Sequence, residues 1–102
     1  MIGTHKTTKA RVNDRLIVTY QNTAVVQVLN NRYVTLDNGG WYTATSKLRM
    51  NQASMEYSLG YSVYQVDFTW YVSIGDDVEP YYNGIVIDTE EGIISRKLKD
   101  IN

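Results

Sequence analysis

The chain has no cysteine, one histidine and one proline in 102 residues, and each scarcity removes a class of protein. Without Cys, and with His5 alone, zinc fingers, iron–sulfur clusters and disulfide scaffolds have no ligands to build on. Cys–His catalysis is excluded, and Ser–His–Asp catalysis falls to His5, which stands in a Thr- and Lys-rich start that is expected to fray. No apolar run reaches the roughly 18 residues of a membrane-spanning helix, and no signal-type apolar segment follows Met1-Ile2-Gly3-Thr4. The expectation is a soluble protein of the cytoplasm with no membrane partner, no cofactor and no metal. The length predicts one domain over 1–102, with residues 1–12 loosely ordered.

Basic residues are absent from 50–95, where Glu56, Asp67, Asp76, Asp77, Glu79, Asp88, Glu90 and Glu91 all lie. Residues 1–49 show the reverse, with seven Lys and Arg against Asp14 and Asp37, although the net charge is only −1. Two readings stand. The halves pair across a sheet, or they form separate basic and acidic faces.

Nine Tyr, two Trp and abundant Val, Ile and Thr favour pleated, half-buried surfaces. Arg15–Tyr20, Thr23–Leu29 and Arg32–Leu36 read as strands, with Asn30-Asn31 supplying the positive-φ residues of a tight hairpin. Gly39-Gly40 ends this run. A helix is predicted over about 45–59, capped by Thr43 or Thr45 and stopped by Gly60, with Ala44, Leu48, Met55 and Leu59 on its apolar face and Lys47, Arg49 and Asn51 toward solvent.

Tyr61–Ile74 alternates with Tyr64, Val66, Phe68, Trp70, Val72 and Ile74 on one side, as one long strand or a hairpin that keeps that face. Pro80 marks an edge strand, Asn83-Gly84 a turn, and Ile85–Asp88 the last clear strand, with 93–99 a short strand or helical tail. The order predicts an α+β fold: a small, mostly antiparallel sheet or partly closed barrel with one central helix.

The stretch Gly39-Gly40-Trp41-Tyr42-Thr43-Ala44-Thr45-Ser46-Lys47-Leu48-Arg49-Met50-Asn51-Gln52 carries the most chemistry. A helix start offers unpaired N–H groups to an anion, hydroxyls and the two cations complement a phosphate, and Trp41 or Tyr42 can stack on a base. The candidate ligand-binding residues are therefore Gly39, Gly40, Trp41, Thr43, Thr45, Lys47, Arg49 and Asn51. The plainer reading is a capped helix after an ordinary turn, with Trp41 in the core. Asp76, Asp77 and Glu79 form the closest carboxylate cluster, without the spacing of a calcium loop, and read as a solvated turn or, with Tyr81 and Tyr82 as anchors, a protein interface or dimer edge. No paired acid and base suggests an enzyme.

Segments 18–26, 36–52 and 59–72, above all the Gly39-Gly40-Trp41-x-Thr43-x-Thr45-x-Lys47-x-Arg49-Met50-Asn51-Gln52 run, resemble a group of small accessory proteins of tailed bacteriophages. Relatives in that group often carry His in place of Gln21 and Thr in place of Ser46. The resemblance implies a phage protein acting by binding. By analogy with small phage proteins that block host defence, it would sequester a nucleotide signal or cover a host defence protein. Single-stranded nucleic acid tracked by the basic first half, and a basic protein inhibited through the acidic second half, are the alternatives.

Overall fold

The computed structural model describes residues 7–94; His5, Lys6, Arg96, Lys97, Lys99 and Asp100 lie outside the described residues. Strands β1 (Thr7–Val12), β2 (Arg15–Tyr20), β3 (Thr23–Leu29) and β4 (Tyr33–Leu36) run as antiparallel hairpins. Helix α1 (Ala44–Glu56) follows, then β5 (Tyr61–Val66), β6 (Thr69–Ile74), β7 (Asp77–Pro80), β8 (Ile85–Asp88) and β9 (Ile93–Ile94). One sheet has the order β1-β2-β3-β4-β8-β9 and the other β5-β6-β7, all neighbours antiparallel. The fold is α+β, and the sheets do not close into a barrel. The segment expected to be loose contributes β1 from Thr7 onward, laddered along β2 with Lys9 opposite Val18.

The core lies between the sheets. Leu16, Val18, Val26, Val28, Val34, Leu36, Ile85, Ile87 and Ile94 point inward from the larger sheet, and Tyr61, Val63, Trp70, Val72 and Ile74 from the smaller. Asn30 and Asn31 hold φ of 55° and 54°, as the hairpin between β3 and β4 requires.

Three expectations are corrected. Tyr61–Ile74 is a hairpin turning at Asp67-Phe68, both at positive φ. A two-residue loop pairs odd with even positions, so the buried set switches from Tyr61 and Val63 to Trp70, Val72 and Ile74, and Tyr64, Val66 and Phe68 face out. Second, the helix buries Ser46, Arg49, Met50, Ala53 and Ser54, while Leu48 and Met55 are exposed. Third, the helix ends at Glu56, and the left-handed residue that stops it is Ser58 rather than Gly60. Ser58 takes φ of 55°, with Leu59 N donating to Ser54 O at 2.8 Å and Ser58 N to Met55 O at 3.4 Å, the paired bonds of a Schellman stop.

Candidate functional site

The loop from Asp37 to Thr43 joins β4 to α1, and its own side chains shape it. Asp37 Oδ1 accepts from Gly39 N at 2.7 Å, and Asn38 Oδ1 from Gly40 N at 2.8 Å. From the other side, Asn38 N donates to the Tyr81 hydroxyl at 2.8 Å, and that hydroxyl donates to Asn83 Oδ1 at 2.6 Å. Burial pushes the Tyr81 ionisation well above its ordinary value, so the phenol stays a neutral strut. A Cβ on Gly39 would lie 2.8 Å from Thr23 Oγ1, so any larger residue at this left-handed position would force the Thr23 side chain to shift.

Thr43 is the N-cap of α1, its Oγ1 accepting from Ser46 N at 3.2 Å. The N–H groups of Ala44 and Thr45 have no acceptor within the helix, as at any helix start, and no acidic residue stands in the first turn. Of the two, Thr45 borders a cleft of about 160 Å³ lined also by Tyr20, Gln21, Thr23, Val25, Asn38, Trp41, Thr43 and Ser46. A β-bulge helps to build its wall. The β2–β3 register shifts between Val18 and Thr19, leaving Val25 outside the ladder, and both Val25 and Val26 are buried.

Two buried N–H donors have no partner among the described residues, one in the wall of this cleft and one behind it. Asn38, a wall residue only 1% exposed, has its Oδ1 committed to Gly40 while its Nδ2 is unpaired. Arg49, 3% exposed, packs its guanidinium 5.2 Å from the ring centre of Tyr20, another wall residue. Its Nη1 donates to Gln52 Oε1 at 3.1 Å, but its Nε has no acceptor.

The sequence-predicted residues therefore divide. Trp41, Thr43 and Thr45 line the cleft, with Gly39 and Gly40 forming the turn beside it. Trp41 is 67% exposed rather than a core residue; the neighbouring Tyr42 instead packs edge-on against Trp70 at 4.9 Å and Tyr81 at 6.0 Å. Arg49 is buried behind the wall, not directed to solvent. Lys47 turns away, its Nζ donating to Gln65 Oε1 at 2.8 Å and lying 5.5 Å from the Trp70 ring centre. Asn51 bonds both the N–H and the C=O of Val63, each at 2.8 Å, fastening α1 to the edge of β5. Sequence reasoning missed Asn38, Tyr20 and Thr23. The one available signal was Asn38 immediately before two glycines, where a side chain that bonds the backbone two residues on is common.

Four of the eight carboxylates of the acidic second half, Glu56, Asp88, Glu90 and Glu91, stand within 4.0 Å of Lys9 or Arg32. Asp88 receives Arg32 Nε at 2.8 Å and Nη2 at 2.7 Å, Glu90 stands 3.4 Å from the same guanidinium, and Lys9 binds Glu56 at 2.6 Å. The proposed anchors do not protrude: Tyr81 is buried, Tyr82 packs on the core, and buried Asp77 accepts from Ile94 N at 2.9 Å through Oδ2. Asp76 is exposed and Glu79 half-buried. Among the described residues no three Asp, Glu or His side chains converge as metal ligands, and no helix is long and apolar enough to cross a membrane.

The family model of the Kyanoviridae Gp96 protein matches residues 3–88, which include β1–β8 and every wall residue of the cleft. The chain belongs to this phage family. No curated protein and no solved structure is significantly similar to it. Family membership places the chain among phage proteins, as the resemblance implied, and assigns no chemistry to the cleft.

Proposed function

We propose that this phage protein is a non-enzymatic binding module that holds a nucleotide-like anion at the start of α1. One observation carries the reading: Asn38, in the wall of the cleft, keeps a buried, unpartnered Nδ2 donor, and Arg49, packed behind the wall residue Tyr20, keeps a buried, unpartnered Nε. Leaving a buried donor unpaired costs about 1–3 kcal/mol, and a buried cation without a counter-charge is dearer still. An anion in the cleft supplies the missing acceptor and counter-charge. The free N–H groups of Ala44 and Thr45 add the positive end of the helix dipole, and no first-turn carboxylate opposes it.

The cleft, about 160 Å³, accommodates a phosphate-sized group while the remainder of a ligand lies at the rim. Trp41 presents an exposed ring there, suited to stacking on a base. Phosphate inside and base on Trp41 favour a nucleotide over a simple inorganic anion. In a phage protein, sequestering such a molecule would deprive a host defence pathway of its signal.

Isothermal titration with inorganic phosphate, mononucleotides and cyclic dinucleotides tests the reading. The expected result is one-site nucleotide binding, weakened about tenfold or more by Arg49→Met. Trp41→Ala should weaken nucleotides and leave inorganic phosphate unchanged. No binding by any of these anions, or equal affinity in the Arg49→Met protein, would contradict it.

A further inference from the structure

The tip of the β5–β6 hairpin carries an exposed ring on a strained backbone. Phe68 is 95% exposed and stands at φ of 68°, in a turn whose two central residues both have positive φ. Asn and Gly are the residues that such a turn favours, and a bulky side chain there is strained. The strain gains no internal packing, since the ring is in solvent.

Beside Phe68 runs an open groove of about 720 Å³ between α1 and β5, lined also by Ala44, Leu48, Val63 and Tyr64. Leu48 and Tyr64 are partly exposed along it. One patch thus presents an apolar knob and an open hollow of mixed character, with Leu48 and Tyr64 beside the polar Asn51 and Gln65. It also carries one charge of each sign, Lys47 and Asp67, which do not pair with each other: Lys47 reaches Gln65, and Asp67 has no ion pair among the described residues.

A two-fold interface requires a patch complementary to itself, each element meeting its counterpart in the other copy. Here both knob with hollow and cation with anion meet that requirement. We infer that the protein forms a symmetric dimer through this groove, each Phe68 entering the hollow beside Leu48 of the other copy, with Lys47 of each facing Asp67 of the other. The surface is separate from the cleft and from the Pro80 edge.

Sedimentation of the full chain from micromolar to millimolar concentration, with three variants, tests the dimer. Phe68→Gly should weaken self-association about thirtyfold or more, while its thermal midpoint measured where both proteins are monomeric stays level or rises, because Asp-Gly suits the turn. Lys47→Glu and Asp67→Lys should each weaken association, and an equimolar mixture of the two should restore it. A wild type that is monomeric at millimolar concentration, or a Phe68→Gly protein that associates as tightly as wild type, would overturn the proposal and give the groove to a different occupant.

Discussion

Arg49 and Tyr20 stack inside the protein, guanidinium carbon to ring centre 5.2 Å, with no carboxylate paired to the cation among the described residues. The ring attraction, worth about 0.5–2 kcal/mol, offsets only part of the desolvation. Arg49→Met removes charge and attraction together while keeping most of the volume. The ligand-free protein should therefore unfold within about 1 kcal/mol of wild type, measured by urea denaturation. A large loss would show that the cation is already compensated inside the fold.

The two glycines of the loop should respond differently. Gly39→Ala adds a Cβ 2.8 Å from Thr23 Oγ1 at φ of 64°, whereas at Gly40, φ 89°, the added atom meets nothing within 4 Å. Backbone strain predicts a loss of about 1 kcal/mol at Gly40, and strain together with the forced shift of Thr23 a loss of about 2–3 kcal/mol at Gly39. Thermal denaturation of both variants checks the order, and equal losses would count against close contact between the loop and β3.

Asn51→Ala removes both bonds to Val63, leaving a buried strand residue with an unpaired N–H and C=O on its outer edge. A loss of about 2 kcal/mol is expected. Hydrogen exchange should show the Val63 amide losing protection before those of β3. Unchanged protection would mean that this edge is held by other contacts.

Acid sensitivity should centre on Asp88. The Arg32 hydrogen bonds chiefly, helped by the N–H groups of Glu91 and Glu90, hold its carboxyl below the usual 3.8 against the opposing effect of burial. Because the folded value is the lower one, this stabilisation is complete above about pH 4 and is lost as pH falls toward and through the folded value. Glu56, lowered chiefly by its bond to Lys9, acts in the same direction from an exposed position. Asp88→Asn should lower the urea midpoint at neutral pH and flatten its acid limb. Parallel pH curves for the two proteins would contradict this.

Much of the larger sheet was legible because β2, β3 and β4 are β-branched runs separated by residues that accept positive φ, Asn30-Asn31 foremost. The β5–β6 hairpin was not, since Phe68 is not a usual turn residue at positive φ and the apolar alternation continues unbroken through it while the buried face changes. Helix α1 was legible in place but not in orientation. Its buried stripe holds Ser46, Arg49 and Ser54, polar groups that periodicity assigns to solvent. For the same reason the cleft was half visible: Trp41, Thr43 and Thr45 follow from helix-start chemistry, whereas Tyr20, Thr23 and Asn38 reach it through the β2–β3 turn and the strand crossing.

The most direct measurement is a nitrogen–proton correlation NMR titration of the full chain with a nucleoside monophosphate, following the Asn38 side-chain amide, Arg49 Nε–H, and the backbone amides of Ala44 and Thr45. An anion seated at the start of α1 predicts that all four move together along one saturating curve, with Arg49 Nε–H shifting as it gains an acceptor. Shifts confined to exposed lysines, or four signals that stay still while the nucleotide binds elsewhere, would contradict it.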